Sequence, residues 1–199
     1  MEEVISKEEL EQLKKNKGET RQMSFKTTAQ FVLKEKGEEG LKKLEDVMAE
    51  AGYPIKYKSV KAMDFYPLWA DAIKLLALQK LFGWDDKKFE EMGRFEARNS
   101  LIVRVFLQYI ISIEKAVKEG PKLWNKYFTK GNLKVIKLDL QNKSAVFRLE
   151  NFYHHPLSCK THKGYFPSLF QLIVKSKVRF EETKCIHRGD DYHEFIVKW

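Results

Sequence analysis

The side chains of this 199-residue chain that ligate metals through nitrogen or sulfur are His154, His155, Cys159, His162, Cys185, His187 and His193, all within the last 46 residues. Imidazole and thiolate bind zinc and related ions, and such ligands rarely meet when scattered. Four residues form the pattern Cys-x22-Glu-x2-Cys-x7-His: Cys159, Glu182, Cys185 and His193. Two soft sulfurs, an imidazole nitrogen and a carboxylate can complete a tetrahedron, and a closed set of four is structural because it leaves no position for water or substrate. The competing reading makes Cys159 and Cys185 small buried hydrophobes, Glu182 a surface charge and His193 an ordinary strand residue. Spacing alone favours this second reading, because Cys-x22-Glu is no familiar zinc signature.

The elements around these residues follow from periodicity and punctuation. Ser6-Lys7-Glu8-Glu9 is a capping box opening a helix to about Lys17, stopped by Gly18. Thr27 or Thr28 caps a short helix ending by Gly37, and Glu38 to Ala51 forms the next, with Leu41, Leu44, Val47 and Met48 on one face. Pro67 opens an apolar helix from Leu68 to Phe82, and Asp85 or Asp86 caps another to about Arg98. Leu101 to Lys118 reads as one long, mostly buried helix ended by Gly120-Pro121, with a short helical piece at Leu123 to Phe128. Leu133 to Leu138 and Ala145 to Glu150 then form a hairpin. Cys159 to His162 precedes a helix at Tyr165 to Val174, and Val178 to Lys184 and Tyr192 to Val197 make a second hairpin through Arg188-Gly189-Asp190. The fold class is α+β: N-terminal helices, then an antiparallel, approximately four-stranded sheet with a helix between two hairpins. Residues 1–18 form an N-terminal helical arm, a candidate dimer or partner contact, and 19–199 a single domain.

Composition narrows the function. The chain carries 43% hydrophobic and 13% aromatic residues, ample for a core. Its net charge of +9 comes mostly from Lys spread among Glu, and only seven of the 37 basic residues are Arg. A gathered basic patch is missing, which argues against nucleic-acid binding. No apolar run reaches the roughly eighteen residues of a membrane span, and the acidic Met-Glu-Glu-Val start does not read as a signal peptide. The expected location is cytoplasmic, where Cys159 and Cys185 stay reduced. No nucleophile elbow, phosphate loop or dinucleotide fingerprint is present. Glu181-Glu182 and Asp190-Asp191 are adjacent pairs whose members face opposite ways on a strand, so catalysis is not the default. His154-His155, before Pro156, reads as a solvated loop and would be the candidate axial ligand if haem were bound, although no haem-attachment motif occurs.

Cys159-x4-Gly164-Tyr165, Glu182-Thr183-Lys184-Cys185, Arg188-Gly189-Asp190 and His193-x-Phe195 together resemble the 4-vinyl-reductase-type domain. That family has the nitric-oxide-signalling and Golgi-transport ligand-binding fold. Its phenol-sensing members hold zinc with three cysteines and a glutamate. By position the resemblance implies a structural zinc on Cys159, Glu182, Cys185 and His193, with His193 standing where those sensors use cysteine. It covers only Cys159 to Phe195.

The resemblance further implies that helices and sheet enclose an apolar pocket for a small hydrophobic molecule. Trp69, Phe106, Tyr109 and Trp124 are the aromatic candidates for its lining. The expected function is a non-enzymatic, homodimeric small-molecule-binding or sensory domain that acts through a protein partner. The alternatives are an interaction module like transport-particle subunits, and a tetrapyrrole vinyl reductase.

Overall fold

Helix α3 (Leu68–Phe82) is the centre of the N-terminal half because it is apolar on every side, and every residue from Ala70 to Leu78 is buried. The computed structural model describes residues 4–110 and 112–199, without the side chain of residue 102; the expectation about the first three residues lies outside these. Around α3 pack α1 (Lys7–Lys14), α2 (Met23–Glu50) and α4 (Asp86–Asn99). Both capping-box hydrogen bonds form: the Glu9 amide donates to Ser6 Oγ at 3.2 Å, and the Ser6 amide to Glu9 Oε2 at 2.8 Å. Ile5 is buried against this half, with Leu10 and Leu13 half-buried beside it. Helix α2 starts at Met23, so Thr27 is not a cap; its hydroxyl donates to the Met23 carbonyl at 3.0 Å instead. Gly37, at φ 67°, breaks α2 where a stop was expected, since only glycine adopts that conformation without strain.

The long helix expected from Leu101 to Lys118 is two helices, α5 (Leu101–Tyr109) and α6 (Ile113–Tyr127). Ser112 caps α6 by accepting from the Lys115 amide at 3.1 Å. Pro121 lies inside α6 and does not end it. Nor is α5 mostly buried: Leu101, Val105 and Tyr109, four residues apart on one face, are exposed.

The chain then forms β3 (Asn132–Asp139), β4 (Ser144–Glu150), α7 (Pro156–Val174), β5 (Arg179–Lys184) and β6 (His193–Lys198). The four strands are antiparallel in the order β3-β4-β6-β5, which is the expected α+β architecture. Two short strands, β1 (Glu19–Arg21) and β2 (Phe65–Pro67), pair separately. Along β4 and β6 the buried residues alternate, with Ala145, Phe147 and Leu149 on one strand and His193, Phe195 and Val197 on the other. The alternation puts His193 on the core face.

Helix α7 starts at Pro156, nine residues earlier than expected, so Cys159 belongs to its first turn and does not precede it. Proline suits that first position because its missing N–H would have no helical partner. Helix α7 crosses α4 with the two backbones in direct contact: a Cβ at Gly164 would strike the Glu90 carbonyl, and one at Gly93 the Thr161 carbonyl. No described helix is long and apolar enough to cross a membrane.

Candidate metal cluster and ligand cavity

Three elements converge on the Cys/Glu/His cluster. Cys159 comes from the first turn of α7, Glu182 from the irregular end of β5, Cys185 from just beyond that strand, and His193 from the start of β6. Their ligand atoms all lie within 4.8 Å of one another. The two Sγ atoms are 3.7 Å apart, and His193 Nδ1 is 3.2 Å from Glu182 Oε1. A register shift in the β5–β6 pairing falls between Glu182 and Lys184. Asp190 fixes the turn after it by accepting from the Cys185 amide at 2.8 Å.

The cluster is dry. Cys159, Cys185 and His193 are buried, and the Glu182 side chain is 3% exposed. Burial raises the Glu182 carboxyl, but the hydrogen bond and charge of His193, with Arg188 beyond, outweigh it and hold the group below its ordinary value. Burial, with Glu182 and Cys185 alongside, pushes the Cys159 thiol well up. Both cysteines are free thiols. A 3.7 Å sulfur separation is close to the edge of a tetrahedron with metal–sulfur bonds of about 2.3 Å.

The second site is a cavity of about 220 Å³ between the helical half and the sheet. Most of its wall is apolar, from Val103, Phe106, Trp124, Phe147, Phe152 and Phe166 among others. One side is charged. Lys74 Nζ lies 2.7 Å from Asp71 Oδ1, which also accepts from Ser24 Oγ at 2.7 Å, and Asp71 Oδ2 is 3.3 Å from His154 Nε2. Thr28 Oγ1 donates to Glu96 Oε1 at 2.9 Å. Burial opposes ionisation of Asp71, yet Lys74 and His154 hold its carboxyl far below the ordinary value; burial pushes Glu96 up to about 7.

Of the four aromatic residues proposed from sequence, Phe106 and Trp124 line this cavity. Trp69 instead packs edge-on against Tyr53 at 5.1 Å, and Tyr109 is 68% exposed on the open face of α5. His154 is not a solvated loop residue: its side chain is 4% exposed and held by Asp71. Asp71, Lys74 and Glu96 were missed as site residues, and His154, named from sequence only as a candidate haem ligand, is the partner of Asp71. The visible signal was Asp71 and Lys74, three apart in a run otherwise apolar from Leu68 to Leu78.

No family model and no curated protein matches the sequence. Solved structures share its fold. An H-NOX protein from S. oneidensis in the Fe(II)NO ligation state superposes with a TM-score of 0.66 at 16% identity, covering 89% of this chain and 98% of that one. An Fe(II) unliganded H-NOX mutant from K. algicida gives 0.64 at 13% identity, covering 89% and 95%. A chain solved in work on modulating heme redox potential through protein-induced porphyrin distortion gives 0.59 at 9%, covering 87% and 96%. The chain therefore has the H-NOX fold, a fold used by heme-binding proteins, and the likeness reaches no further than the fold.

These neighbours correct the zinc expectation, since the group named with this fold is iron heme and not zinc. The residues present do not fit heme either. A cavity of about 220 Å³ is below the roughly 300–1,000 Å³ of pockets for drug-sized molecules, too small for a tetrapyrrole. Two histidines line the cavity, His154 and His162, and His154 Nε2 is already engaged by Asp71 at 3.3 Å. The two cations on the wall are engaged: Lys74 by Asp71, and Arg21 by the Lys126 carbonyl at 3.0 Å and that of Met63. Carboxylate side chains of a macrocycle would find no free partner there.

Proposed function

We propose that this chain is a small-molecule-binding sensory domain of the 4-vinyl-reductase type, whose ligand is a compact hydrophobic molecule held in the cavity between helices and sheet. The observation that carries this reading is the cavity itself: an apolar space of about 220 Å³ with one polar wall, the usual make-up of a ligand site. Its size argues against a tetrapyrrole substrate and so against a vinyl reductase.

Cys159, Glu182, Cys185 and His193 are proposed to hold a metal ion that braces the sheet against α7. Four ligand atoms within 4.8 Å, drawn from three elements and closed to solvent, support a structural role. Helix α7 connects the two sites: Cys159 joins the cluster, while Ser158, Thr161, His162 and Tyr165 line the cavity. A ligand that shifts α7 would thereby move the sheet edge, and output passes to a protein partner or to a second copy in a homodimer.

Native mass spectrometry with elemental analysis of the reduced, chelator-free protein tests both parts, reporting retained ligand, metal and oligomeric state. A thermal-shift screen of one- and two-ring aromatics is the complementary measurement: a ligand at 100 times its Kd stabilises by about 2.7 kcal/mol. A screen without any stabilising compound sinks the sensor reading; absence of stoichiometric metal sinks the brace.

A further inference from the structure

The charged wall of the cavity presents more acid than base. Asp71, in the enclosed middle of helix α3, keeps 13% of its side-chain surface, whereas Lys74 beside it keeps 2%. Glu96 of α4 is 8% exposed, and all three residues line the cavity. Thr28 donates to Glu96 Oε1 at 2.9 Å, but Oε2 is neither hydrogen-bonded nor sealed among the described residues. An interior carboxyl oxygen that is open to a cavity and unpaired lacks a donor, because buried polar groups are paired in the great majority of cases.

The neighbours of Glu96 do not supply that donor. On α3, Lys74 is matched by Asp71 at 2.7 Å, and Asp71 also holds His154 at 3.3 Å. On α7, burial keeps the His162 imidazole neutral by lowering it to about 3, and it raises the Tyr165 hydroxyl. Helix α2 offers only the Thr28 hydroxyl already engaged, and α5 adds Val103 and Phe106. Arg21, elsewhere on the wall, is bound to the carbonyls of Lys126 and Met63. With Asp71 and Lys74 cancelling, an ionised Glu96 leaves one negative charge unmatched. An anionic ligand would add a second, and a monovalent cation would neutralise it. Phe106, Trp124 and Phe152 supply aromatic faces, which also attract an ammonium group. An apolar cavity of about 150 Å³ holds benzene, so about 220 Å³ admits one ring with a short ammonium tail.

We infer that the cavity binds a compact cation, a primary or secondary ammonium group on a one-ring apolar body, with Glu96 Oε2 as its counter-ion and Asp71 as the second acceptor. Glu96 is then the specificity-determining residue, and the inference rests on the sensor reading above. Burial raises the Glu96 carboxyl to about 7, so at lower pH an ammonium group must displace a proton to bind. Affinity therefore rises with pH up to about 7 and levels off above it.

2-Phenylethylamine and 2-phenylethanol are matched probes: they share size and shape, but the first is a cation across this pH range and the second is neutral. In calorimetric titration of the full chain at about pH 8, the amine should bind at least about tenfold tighter, the worth of one charge-assisted hydrogen bond. Its affinity should fall about tenfold per pH unit below about 7, while that of the alcohol stays level. Glu96→Gln should remove both the preference and the pH dependence. Should Glu96→Gln not fold, titration of the unaltered chain at about pH 6 in buffers of different ionisation heat replaces it, the amine releasing close to one proton and the alcohol none. Equal or tighter binding of the alcohol, an amine affinity indifferent to pH, or a preference that survives in Glu96→Gln overturns the ammonium inference and leaves the cavity reading intact. Failure of amine, alcohol and naphthalene alike to bind overturns the sensor reading as well.

Discussion

Glu96 couples the cavity wall to pH. Burial raises its carboxyl from 4.5 to about 7, with Thr28 and Lys74 only partly opposing the shift. The folded chain therefore holds a proton that the unfolded chain has already lost between those two values. Stability then falls as pH rises from about 4.5 to about 7, by on the order of 3 kcal/mol, and levels off above. Thermal melts across this window should show the decline in the parent chain and its absence in Glu96→Gln. Glu182 presents the opposite case: its side chain is only 3% exposed, and the hydrogen bond with His193 helps to hold its carboxyl below the ordinary value. His193→Ala removes its nearer partner and leaves the carboxyl buried beside two thiols, with Arg188 at 3.6 Å as the remaining charged partner. A loss of about 1–3 kcal/mol in urea denaturation is the expected result, the cost of taking one partner from a buried, hydrogen-bonded group.

At the level of elements, the contact that matters most is α7 on α4. Gly164 and Gly93 let the two backbones touch, and a single methyl at Gly164 meets the Glu90 carbonyl. Gly164→Ala should therefore cost about 1–3 kcal/mol by overpacking, even though alanine is the better helix former. Because α7 carries residues of both sites, the same substitution should also weaken binding of any cavity ligand. Chemical denaturation and ligand titration of the one variant would show both effects; an unchanged midpoint would mean that the helices separate at no cost.

The whole molecule is two packed clusters with a space between them. One gathers residues of α2, α3 and α4, and the other joins β4 and β6 to α6 and α7. A gap so large in an otherwise close-packed interior sacrifices contacts, which a filling side chain can recover. Ala116 is buried on the cavity wall. Ala116→Leu should raise the Tm by a few degrees and abolish ligand binding together, as in sites where function and stability oppose each other. A variant that is stabilised yet still binds would place the ligand elsewhere.

Local rules in the sequence determined most of the elements. The capping box at Ser6, the break at Gly37, the Asp85 cap and the strands β4 and β6 act over a few residues, and each stands at or next to where the sequence put it. The Cys159, Glu182, Cys185 and His193 grouping was legible too, but only through motif resemblance, because a spacing of 22 residues has no local meaning. Tertiary structure alone decided the rest. Position along α5 cannot tell that Tyr109 faces outward and Phe106 inward, since both suit an apolar helix. The start of α7 at Pro156 put Cys159 on a helix, and the close crossing of α7 over α4 at Gly164 and Gly93 has no signal in local spacing. The His154–Asp71–Lys74 chain joins positions 80 residues apart, and whether a buried charge is paired or fatal depends on partners that only folding supplies.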